Sequence, residues 1–254
     1  MTDAPHAEKI ELPIFEAIKS GYRLAFECVG SLWRASAILV LLLVAIDAVK
    51  ARSGASTSEP AALWQWVVAV LWSAGLAPYA VLIHRRIILG DQQDRYLTTA
   101  LSRRVARFAR LLIAFEVAPL IWGMLILLVG PAVRWIPMLI GGIVGIAASL
   151  RLALAFPAIA TDRVSSPLAD SWRYTRGFAL LMLFLYLVAN LPPVTVGLIL
   201  AWNGDDTAAP FDMVWIAQHT AGAVIATGAT ALNVAITSYL YLTRRAWSDY
   251  SPSD

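Results

Sequence analysis

Six stretches of the chain stay apolar for about the 20 residues that a helix needs to cross a bilayer. They run from about Leu32 to Val49, Ala61 to Ile83, Leu111 to Val133, Trp135 to Thr161, Phe178 to Trp202 and Met213 to Leu242. The apolar residues come in blocks, not in the narrow stripes of soluble helices. The pattern predicts an all-α, polytopic membrane protein: one domain over residues 1–254, with an N-terminal amphipathic arm over 1–31 and a tail over 243–254.

The polar segments between the blocks have a helical period of their own. "DRYLTTALSRRVARFARLL" sets Leu97, Leu101, Val105, Phe108 and Leu112 on one arc and Arg103, Arg104, Arg107 and Arg110 on the other. The spacing predicts a separate basic helix lying in the headgroup layer. The arm sets Ile14, Ile18, Tyr22, Phe26 and Val29 on one face, with Lys19 and Arg23 beside it. In "SSPLADSWRYTRG", Ser166 suits a cap, Pro167 a first helical position and Gly177 a break. Each segment precedes an outward span that is followed by an inward one. The inward spans end alike, in "APYAVLIHRR", "AFPAIATDR" and "TSYLYLTRR". The expected architecture is six transmembrane helices in three pseudo-repeats, each an amphipathic helix plus a helical hairpin.

Composition agrees. The chain is 59% hydrophobic and 15% charged, with mean hydropathy +0.67. Charge placement orients the spans. Seventeen of the 20 basic residues fall on one side, leaving Lys50, Arg52 and Arg134 on the other, whose last loop, "NGDDTAAPFD", has three aspartates. The positive-inside rule therefore predicts cytoplasmic termini. Residues 1–31 hold five acids and no apolar leader core, so insertion through the internal spans is expected. Cys28 is the only cysteine, which excludes an intrachain disulfide or a thiolate cluster.

One stretch, "RLALAFPAIATDRVSSPLADSWRYTRGF", carries Arg151, Pro157, Ser171, Trp172, Thr175 and Gly177. In these positions it resembles the YciC-type bacterial inner-membrane proteins and the membrane-anchoring domain found beside some glycerophosphodiester phosphodiesterases. The resemblance implies a six-helix inner-membrane fold with no assigned activity. The phosphodiesterase chemistry of that group belongs to a separate soluble barrel, so no catalytic residue carries over.

Ionisable residues inside spans are the default places to seek function. Glu116 and Arg151 fall at similar depths in consecutive spans, which predicts an intramembrane ion pair; the alternatives are an Arg151 that snorkels alone toward the cytoplasm, or a substrate- or proton-handling role. Asn190 and Asn233 are expected to bond between helices. His6, His84 and His219 lack metal-ligand spacing, and no nucleophile elbow or phosphate loop appears. The expectation is a non-enzymatic membrane protein without metal or cofactor. It would engage anionic lipid through Arg103, Arg104, Arg107 and Arg110, a membrane partner or second copy, or both. The alternative is a small transporter or lipid carrier. Nucleic acid is not an expected partner, because anionic lipid explains arginines beside membrane spans.

Overall fold

The computed structural model describes residues 14–52, 60–92, 95–128, 130, 133–162, 166–202 and 212–248. Most of the arm's polar start, the last six residues, Asp94, Arg163 and nearly all of "NGDDTAAPFD" lie outside the described residues. Those described are helical: α1 Ile14–Ser31, α2 Trp33–Arg52, α3 Pro60–Leu89, α4 Tyr96–Ala100, α5 Arg103–Leu127, α6 Trp135–Leu152, α7 Ala155–Thr161, α8 Pro167–Tyr174, α9 Ala179–Trp202 and α10 Met213–Ser248. Among the described residues five spans are long and apolar enough to cross a membrane, and six if α1 and α2, bent by 88°, count as one broken span. The chain is thus an all-helical, multi-pass membrane protein.

Helices α3 and α10 form the centre. In each, 56% of the most apolar window is buried, against 6% in α5 and 11% in α9. Helix α3 packs on α2, α5, α7 and α10, while α10 packs on α1, α2, α3, α7 and α9. The peripheral helices expose Ile121, Leu139, Ile143, Leu187 and Leu198, the surface that a bilayer covers.

Three expectations change. First, the basic connector is not a separate surface helix. Ser102 divides it: its side chain accepts the Val105 N–H at 3.2 Å and its carbonyl that of Ala106 at 3.1 Å. A capped N-terminus starts a helix there, and nothing stops it before Leu127, so the arginines occupy the first turns of the span itself. Leu97 and Leu101, on the other side of the break, are exposed.

Second, the most deeply buried face of the arm is shifted by one residue from the expected one, whose Ile18, Tyr22 and Val29 pack half-buried against the core. The arm buries Ala17, Gly21, Ala25 and Cys28, chiefly against α10. A Cβ on Gly21 would come within 2.5 Å of Ile236 Cγ1. Small residues let the two backbones approach closely, and Phe15 and Phe26 turn outward.

Third, the fourth span keeps its expected extent, Trp135–Thr161, but is divided into two helices. It turns at Ala153 and Leu154, where Phe156 reaches the Ala153 carbonyl at 3.4 Å in a tightened turn. Pro157 has no N–H to give that carbonyl, so the α-helical ladder breaks there.

Candidate functional site

The break creates a joint whose parts are the residues of the "RLALAFPAIATDRVSSPLADSWRYTRGF" pattern. In an unbroken helix the Arg151 carbonyl would take the N–H of Ala155. Here it accepts from the Ser171 hydroxyl at 2.8 Å, and Thr175 Oγ1 lies 3.0 Å from the same oxygen. Ser171 lies in α8 and Thr175 is its C-cap, and both are buried. The Arg151 guanidinium sits 4.6 Å from the ring centre of Trp172, in cation–π contact. Gly177, at φ +81°, lets the chain leave α8 and enter α9.

Arg151 is therefore turned toward α8. The expected ion pair with Glu116 does not occur among the described residues. Phe115 faces the α6–α7 side, its ring 5.9 Å from that of Phe156. One residue further on, about 100° round the helix, Glu116 is carried to an exposed face.

Two other carbonyls beside prolines are met in the same way. Pro193 cannot donate to the Ala189 carbonyl, which accepts from the Tyr22 hydroxyl of α1 at 2.7 Å. One turn before Pro78, the Gly75 carbonyl accepts from Tyr96 of α4. Tyr96 lies outside the spans, and burial pushes its phenol up to about 12. Asn190 and Asn233 bond reciprocally at 2.8 and 3.2 Å, as expected. His84 is buried, with Nδ1 2.7 Å from Ser238 Oγ, tying α3 to α10.

A basic cleft of about 370 Å³ opens at the N-terminus of α5. Ser102, Arg103, Arg104, Arg107 and Asp162 line it. Asp162 ends α7 in the left-handed region, at φ 50°. Its carboxylate lies 2.6 Å from Arg104 Nε and 3.9 Å from Arg107 Nη1. A left-handed aspartate carries local strain, which the charge-assisted bonds to Arg104 offset. Arg110 is not in the lining; its Nε donates to the Ala106 carbonyl at 3.2 Å. The structure thus brings together three of the four arginines and adds Asp162. "ATDR" at the end of a span marked a boundary, but nothing in it tied Asp162 to an arginine 58 residues earlier.

Among the described residues no three His, Cys, Asp or Glu side chains are placed to hold a metal ion. No known protein family, curated protein or solved structure matches the chain.

Proposed function

We propose that this protein is a non-enzymatic component of a bacterial inner membrane, with six spans and cytoplasmic termini, that holds anionic lipid headgroups at its arginine-rich end. The observation that carries the reading is the cleft: three guanidiniums, with one carboxylate among them, sit at the end of a span where lipid phosphates lie. The exposed apolar flanks of α5, α6 and α9 keep acyl chains beside it.

The same proposal includes three pseudo-repeats. Their support is a cyclic pattern of packing. Helix α4 packs on α3, α8 on α7 and α6, and α1 on α10 and α9, so each short helix rests on the unit before it. Each also gives side-chain hydroxyls to a backbone carbonyl there. This arrangement makes sense of the Arg–Pro–Ser–Trp–Thr–Gly pattern, and we carry the kinship with YciC-type proteins as part of the proposal. A carrier needs polar groups lining a cavity. Asn190 and Asn233 bond to each other, and Arg151 rests on Trp172, which favours lipid contact over carriage.

The test is lipid retention by the full chain in nanodiscs of phosphatidylcholine with or without phosphatidylglycerol. Enrichment of the anionic lipid around the protein is expected, weakening with salt as the attraction is screened. The triple change Arg103→Gln, Arg104→Gln, Arg107→Gln should remove it. Equal retention of neutral and anionic lipid would overturn the reading.

A further inference from the structure

We propose that the cleft at the start of α5 is selective for a phosphomonoester headgroup, the doubly charged phosphate of a phosphatidate-type lipid. The inference rests on the lipid-headgroup reading above and narrows it to one charge class.

The first argument is charge. Three arginines and one aspartate leave the lining two charges positive. A phosphomonoester carries about −1.5 to −2 near pH 7, whereas a diester phosphate carries a single charge. The second argument is which arginines remain available. Arg104 is held by Asp162 through its Nε, and Arg107 meets the other oxygen of that carboxylate only at 3.9 Å, which leaves Arg103 and most of the Arg107 fork for a ligand. These two stand one turn apart on α5, so their like charges repel until an anion lies between them. Each offers a planar fork of donors suited to two phosphate oxygens.

The third argument is the helix end itself. The Val105 and Ala106 N–H groups are used by Ser102, so those of Arg103 and Arg104 are the ones that a 25-residue helix leaves pointing out of its N-terminus. The cleft therefore combines two guanidinium forks, two amides and the positive end of a long dipole. A phosphate with three terminal oxygens can satisfy more of these donors than one esterified twice. The fourth argument concerns the source. Leu97 and Leu101, exposed on and just after α4, flank Ser102 with apolar surface that a soluble phosphate would not use.

The full chain is placed in phosphatidylcholine nanodiscs containing equal amounts of phosphatidate and phosphatidylglycerol, and the lipid that stays bound is weighed by native mass spectrometry. Phosphatidate is expected to be retained about tenfold over phosphatidylglycerol, the equivalent of one charge-assisted hydrogen bond. The pair Arg103→Gln, Arg107→Gln should bring that ratio close to one. Arg107→Lys, which keeps the charge and loses the fork, should reduce it in part and serves if the glutamine pair does not fold. Asp162→Asn, which tolerates the left-handed backbone, should raise phosphatidylglycerol retention, because the lining then carries one more positive charge.

Equal retention of both anionic lipids above phosphatidylcholine would sink the selectivity and leave the broader lipid reading standing. Retention of neither would sink both. Folded arginine variants that keep the tenfold ratio would place the selectivity elsewhere. Inorganic phosphate that displaces phosphatidate at equal concentration would show a soluble ligand, and the lipid assignment would fall.

Discussion

At the scale of single residues, Arg151 shows how a membrane span holds a guanidinium. Its charge rests on Trp172, while its carbonyl is met by Ser171 and Thr175. Trp172→Leu and Arg151→Gln should each lower thermal stability in detergent by about 0.5–2 kcal/mol, the range for a partly desolvated cation–π contact. The double change should cost less than the sum of the two. Glu116→Gln should add to Arg151→Gln without coupling, because the two side chains face different ways. A double-mutant cycle by thermal unfolding measures both statements, and strong coupling of Glu116 to Arg151 would restore the ion pair. Gly21→Leu should be worse than either arginine or tryptophan change. Ile236 occupies the space that a side chain there would need, and overpacking at this close approach costs about 1–3 kcal/mol or more.

At the scale of helices, the decisive feature is where each one starts and stops. Ser102→Ala removes the side-chain cap of α5 and should cost about 1 kcal/mol. The change should also loosen the cleft, read as lower anionic-lipid retention with every arginine intact. Tyr96 anchors α4 to α3 and has a pH signature. Burial raises its phenol from the ordinary value of 10.0 to about 12, so the folded protein holds that proton more tightly than the unfolded chain. The contribution is complete below pH 10 and is lost as pH rises toward 12. The stability difference between the wild type and Tyr96→Phe should therefore shrink across that window in thermal unfolding at pH 9 and 11.5. A difference that stays constant would show that the phenol does not titrate with folding.

At the scale of the whole molecule, α3 and α10 form the interior, and the proposed topology puts the arginine-rich ends of the spans on one side. A cysteine placed near Gly90, in a background where buried Cys28 is replaced by Ala, should resist an impermeant thiol reagent added outside the cell. One in "NGDDTAAPFD" should react. The opposite labelling would invert the topology and put the cleft on the outer surface.

The sequence by itself determined the class of the protein, its apolar blocks, the interhelical bonding of Asn190 and Asn233, though not that they bond to each other, and the identity of the cationic residues. These follow from composition and period, which a chain displays without its tertiary contacts. It also marked Pro167 and Gly177 correctly as helix boundaries, because proline and glycine act locally; Ser166 stands at the N-cap position but its side chain makes no capping bond. Only the tertiary structure decided which face each amphipathic segment buries. The large apolar residues of α1 predict one face, and the close approach of α10 buries most deeply the small-residue face beside it. Only folding could show that α5 runs unbroken from Arg103 into the span, since a period of 3.6 continues through a span boundary without a mark. The pairing of Asp162 with Arg104, and of Arg151 with Trp172, was set by the turn at Ala153 and the left-handed residue after Thr161. A break in a helix reorients every side chain beyond it, and its angle is fixed by what the neighbouring helices offer the freed carbonyls.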